Sequence, residues 1–134
     1  MRLGDMTFEE SRNAELMIAP IAEKIMKDKI TSKVFDDYLG AGNKAFNEMN
    51  DKEKKAFLLK RVESTKELTK RLIHEHYEDT CKIFAILNNT DVDKIKEMKR
   101  SDVNTQLIEM LQDSDMQSFF MSSNVLAEAV LSVI

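Results

Sequence analysis

Three glycines and one proline are nearly all the sharp turn-forming material in this chain of 134 residues. A sandwich or barrel of short strands needs a turn roughly every 8–12 residues. Such turns lean on glycine for positive φ and on proline for a fixed φ. Apolar residues recur three and four positions apart through most of the sequence, which is the spacing of one face of a helix. The chain therefore reads as all-α. Hydrophobic residues make up 43% and charged residues 33% of it, as in folded globular proteins and unlike disordered ones. The length suits one compact domain, residues 1–134, of about six helices with a long central helix or helix pair.

The expected elements follow from start and stop signals. Thr7-Phe8-Glu9-Glu10 is a capping-box pattern, followed by Leu16, Met17, Ile21 and Ile25 at helical spacing. Pro20 lies within that run, where a missing donor and a steric clash predict a kink or break. A second helix is expected after Thr31, with Val34, Phe35, Tyr38 and Leu39 inward and a glycine stop at Gly40-Ala41-Gly42. The same Gly-x-Gly follows a helix, not a strand, so it reads as a cap and not as a phosphate loop. Asn50-Asp51-Lys52-Glu53 opens the longest helical stretch, reaching about Leu87, with Ala56, Leu59, Val62, Leu68 and Leu72 among its apolar positions. Ser64 to Glu67 offers a restart, so one helix and two helices both fit. Asn88-Asn89-Thr90 is a turn whose threonine can cap a short helix carrying Val92, Ile95 and Met98. Ser101 begins another helix, through Val103, Leu107 and Leu111. A last apolar segment follows Ser122 and Ser123.

Charge is unevenly distributed. Residues 51–100 carry 13 basic and 10 acidic side chains, whereas residues 101–134 carry Asp102, Glu109, Asp113, Asp115 and Glu128 and no lysine or arginine. Nucleic acid and anionic membrane would both be repelled by that last third. The basic run from Lys52 to Arg71 is interleaved with Asp51, Glu53, Glu63 and Glu67, which reads as a solvated face. No stretch has the apolar length of a membrane span. The beginning, MRLGDMTFEE, lacks the apolar core of a signal peptide. A single cysteine, Cys81, cannot form an internal disulfide. A cytoplasmic location is the expectation.

Residues that could carry chemistry are sparse. His74, Glu78 and Cys81 would share one helix face, yet they are one ligand short of a structural zinc site. His74-Glu75-His76 lacks the four-residue histidine spacing of zinc proteases. Cys81 has no evident base to activate it. Paired acids such as Asp36-Asp37 and Asp91/Asp93 fall at helix starts or outer faces. We therefore expect no catalysis, no metal and no cofactor, and a protein that acts by binding others. The candidate contacts lie near the C-terminal end: Met116, Phe119, Phe120, Met121, Leu126, Val130 and Leu131. Methionine suits surfaces that adapt to varied apolar partners and also fills irregular cores, so both roles remain open for these positions.

The stretch from Cys81 to Val103 resembles the tail assembly chaperones of long, non-contractile-tailed bacteriophages. Ile83, Phe84, Ile86 and Leu87 fill an apolar helix, Asn88 to Thr90 a polar turn, Val92, Ile95 and Met98 a small helix, and Leu107 to Leu111 an acidic last one. The likeness covers about residues 70–120 and is nearest to the tape-measure chaperones of lactococcal-type phages; residues 1–50 carry none of it. The resemblance implies a non-enzymatic chaperone in the host cytoplasm that coats the apolar, helical tape-measure protein before the tail tube polymerises around it. It further implies self-association and the tail tube protein as a neighbour. The rival reading is a DNA-binding regulator with a helix-turn-helix about Asn88 to Thr90; the acidic last third and the lack of a basic recognition helix oppose it.

Overall fold

Local capping chemistry sets the helix starts. In the computed structural model, which describes residues 2–40, 45–121 and 131, Glu10 N–H donates to Thr7 Oγ1 and Thr7 N–H donates to Glu10 Oε1. This reciprocal box opens α1, Phe8–Met26. Asp28, three residues ahead of the expected Thr31, caps α2, Lys29–Leu39, by accepting from Ile30 and Thr31 N–H. Gly40 ends α2 at φ 75°, in the left-handed region that favours glycine. Asn50 and Glu53 form a second capping box before α3, Asp51–Lys70. Pro20 does not break α1, which runs through it as one helix of 19 residues. Pro20 and Leu16 are both exposed, so water can replace the donor that the Leu16 carbonyl lacks.

The long stretch is a helix pair, divided later than Ser64. α3 continues into a π-helical turn, Arg71–Glu75, making a central helix of 25 residues. His76 N–H donates to Arg71 O across five residues at 3.0 Å. His76 then leaves helical geometry at φ −124°, ψ 36°, and α4, Tyr77–Leu87, begins. Thr80 Oγ1 donates to Leu72 O at 2.8 Å, satisfying a carbonyl at the disturbed turn. The remaining helices are α5 (Val92–Lys96), α6 (Arg100–Gln112) and α7 (Ser114–Gln117). Short 3-10 turns occupy Leu3–Asp5, Phe46–Glu48 and Ser118–Phe120. Thr90 does not cap α5; Asp91 holds that position without a side-chain bond. Among the described residues there are seven α-helices and no strand, so the all-α expectation is met with one helix more than anticipated.

α1 packs on α4, and α2 on α3. The inward line of α1 is Ala14, Ile18, Ala22 and Ile25, not Leu16 and Met17, which are exposed. Two alanines in that line let the α1 backbone approach α4 closely. Every one of the seven helices gives at least one buried side chain to the same apolar cluster. Asp113 ties the N-terminal end to this body: Leu3 N–H donates to its Oδ2 at 3.1 Å and Asp115 N–H to its Oδ1 at 3.0 Å. Tyr38 Oη donates to Leu111 O at 3.2 Å, joining α2 to the end of α6.

Candidate functional site

A close group of titratable side chains lies where α2 begins and the π-turn ends. Asp28 Oδ2 accepts from Arg71 Nη2 at 2.7 Å and from Thr31 Oγ1 at 2.8 Å, and lies 2.8 Å from His76 Nε2. Arg71 Nε donates to Thr31 Oγ1 at 2.7 Å. The Arg71 hydrogen bond, aided by those of Thr31 and His76, holds the Asp28 carboxyl well below the usual carboxylate range against the opposing effect of burial. Asp28 in turn pushes the Arg71 guanidinium up. A hydroxyl, an imidazole and a carboxylate together invite comparison with a nucleophilic triad. That logic needs one imidazole nitrogen on the carboxylate and the other on the nucleophile. Here the same Nε2 faces both Asp28 Oδ2 and, at 3.3 Å, Thr31 Oγ1. Thr31 is also fully buried. The group is a fastener between α2 and the α3–α4 joint.

The π-turn alters the other sequence candidates. It adds a residue to the turn between His74 and Cys81, so the even spacing of His74, Glu78 and Cys81 no longer puts them on one helical line. His74 is exposed, and Glu78 accepts from Lys96 Nζ at 2.8 Å. Cys81 is buried; burial pushes its thiol up, with Lys96 opposing. Such a thiol is a poor nucleophile at neutral pH.

A groove of about 910 Å³ opens between α1 and the end of α4. Met6, Ala14, Met17 and Ile21 form one wall, and Ala85, Ile86 and Leu87 the other. The Asn88–Asp91 turn and Val92 close one end, with Glu10, Asn13 and Lys82 at the margin. The turn is firmly built. Thr90 N–H donates to Ala85 O at 3.0 Å, and Asn88 Nδ2 to Gln106 Oε1 at 2.7 Å. Asn89 takes the left-handed φ of 49°, which asparagine tolerates better than most residues. Two methionines and two isoleucines give the groove an apolar lining that can change shape. It is also long enough in sequence to follow several turns of a helix laid along α1.

No family model, curated protein or solved structure matches this chain.

The C-terminal candidates separate. Met116 and Phe120 are 1% and 2% exposed, and the Phe120 ring stacks on Phe35 at 4.5 Å between centroids. Both side chains are spent on the core and present no surface to a partner in this fold, a correction to their expected role. Phe119 is half-buried against the core, and Met121 is half-buried. Leu131 is helical and exposed. Leu126 and Val130 lie outside the described residues.

Two surfaces escape the sequence reading. The groove does so because Met17 and Ile21 fit the inward line of α1 equally well by spacing. The other is the amino half of α3, where Leu59 and Val62, two of the apolar positions noted in that stretch, are exposed together with Leu58. Phe57-Leu58-Leu59 was the available signal. Three consecutive helical positions sweep about 200°, so no single neighbouring helix can cover all three.

Proposed function

We propose that this chain is a non-enzymatic tail assembly chaperone of a long-tailed, non-contractile phage, holding an apolar helical tape-measure protein in solution in the host cytoplasm. The resemblance over residues 70–120 supplies the biological setting. The observation that carries the binding role is the α1–α4 groove, about 910 Å³ with Met6, Met17, Ile21 and Ile86 along it. Its size is that of a true binding cleft. Its apolar positions on α1, Met17 and Ile21, are four apart, matching the i, i+4 anchors of an amphipathic client helix. Methionine allows one groove to fit successive, non-identical helices of a long client. Among the described residues no helix is long and apolar enough to cross a membrane.

The DNA-binding alternative gains nothing from the turn at Asn88 to Thr90. It leads into α5, only five residues long, with Asp91 and Asp93 at its start. A recognition helix so short and so acidic at its leading end would repel the phosphate backbone.

The test is co-expression with the tape-measure protein encoded in the same genome, measuring how much of it stays soluble. Wild type is expected to keep most of it in solution. Met17→Glu with Ile21→Ser is expected to lower the soluble share severalfold while the chaperone itself remains folded. A client that precipitates equally with and without the wild-type chain would sink the reading.

A further inference from the structure

Leu58, Leu59 and Val62 on α3 are 53%, 59% and 50% exposed, and Phe46 beside them is 44% exposed. The Phe46 ring lies 5.8 Å from that of Phe57 between centroids, continuing the apolar surface off the helix. The positions three and four away from Leu58, Leu59 and Val62 hold Lys54, Lys55, Arg61 and Lys66 against one acid, Glu63. The patch is thus apolar at its centre and basic at its rim, the anatomy of an interface for an acidic partner. A second copy laid antiparallel on the same patch would set Lys55 beside Lys66 of the other copy, which charge repulsion disfavours. The complementary chemistry lies elsewhere in the chain. Residues 101–134 hold five acids, no base, and the apolar positions Leu126, Val130 and Leu131. Within that third, Ile108 and Leu131 are 45% and 70% exposed, and Asp102 and Asp115 are exposed.

We propose that the patch at Leu58, Leu59 and Val62 docks the acidic C-terminal third of a second copy, joining copies head to tail. An interface between two different patches leaves one of each free at the ends of every assembly, so growth continues copy by copy. This association needs no client, and it stands or falls apart from the chaperone reading.

Sedimentation velocity on the full chain tests it, using two variants and their mixture. Leu59→Glu with Val62→Glu spoils the patch, and Leu126→Lys with Leu131→Lys spoils the other side. Wild type is expected to gain mass with concentration. Each variant alone should associate about a hundredfold more weakly, given the loss of two or more apolar contacts and the new charges. An equimolar mixture should form a dimer and nothing larger, because one good patch and one good tail remain between the two. Circular dichroism checks that each variant is folded. If Leu59→Glu with Val62→Glu loses its helical signal, Lys55→Glu with Lys66→Glu replaces it with the same expectations. A wild type that stays monomeric at every concentration overturns the proposal, as does a folded variant that associates like wild type. So does a mixture that fails to dimerise, since a two-fold contact between like patches gives no such rescue.

Discussion

From Ser64 onward the central helix turns Ser64, Leu68 and Leu72 into the core, and the Asp28 fastener holds its end. Its earlier half, Asp51 to Glu63, carries large apolar side chains too, yet it holds Leu58, Leu59 and Val62 out to solvent. What separates the halves is neighbours, not composition. α3 packs on α2 and α6, and among the described residues these neighbours cover Ser64 and Leu68 but leave Leu58, Leu59 and Val62 exposed. A helix with one neighbour can bury one stripe, and apolar residues beyond that stripe must serve a partner or stand exposed. The comparison teaches that apolar content locates surface chemistry here as readily as it locates core.

Leu68→Ala is the substitution expected to bear hardest on the contrast. Leu68 is fully buried, and its truncation should cost about 3 kcal/mol in chemical denaturation. A loss under about 1 kcal/mol would mean that the later half is less tightly held than its burial indicates.

Asp28→Asn should follow, at about 2 kcal/mol, because it strands Arg71 and His76 in a partly buried setting. This loss carries a pH signature. The Asp28 carboxyl is lowered in the folded protein, so its stabilisation is fully present above the unfolded value and is lost as pH falls through the folded one. The stability gap between wild type and Asp28→Asn should therefore stay constant above about pH 5 and shrink in more acid solution, as the unfolded carboxyl takes up its proton near 4. Thermal melts of both proteins from neutral to acid pH read this directly. A gap that widens in acid would contradict the fastener.

The smallest effect belongs to the earlier half. Leu59→Ser with Val62→Ser should shift monomer stability by no more than about 0.5 kcal/mol, as for other exposed positions. A destabilisation near that of Leu68→Ala would place these residues inside the fold and erase the contrast.

Much of the helical order was legible in local sequence, because caps act over three or four residues. Thr7 with Glu10, Asn50 with Glu53, and Gly40 each do in the fold what their spacing announces. What stayed hidden depends on contacts between distant residues. Asp28, Thr31, Arg71 and His76 come together over separations of 40 to 48 residues. No local pattern distinguishes them from ordinary surface charges. Met116 and Phe120 show the same limit from the apolar side. Their composition suits an adaptable surface and a core equally, and only their burial in the fold, with the Phe35 stack on Phe120, decides for the core. The π-turn was hidden too, since Arg71 to Glu75 carry no glycine or proline to mark a change of winding. Among the candidate contacts Leu131 is exposed, and the groove was not legible, because a helix with apolar residues on more than one line does not say which line faces in.

Cys81 is the sole thiol in the chain and sits buried in α4, near Tyr77, Glu78 and Lys96. A reagent in solution reaches it when α4 or its cover moves aside. The protein therefore carries its own stopwatch: the pace of alkylation under native conditions counts openings around α4, with no label built into the chain.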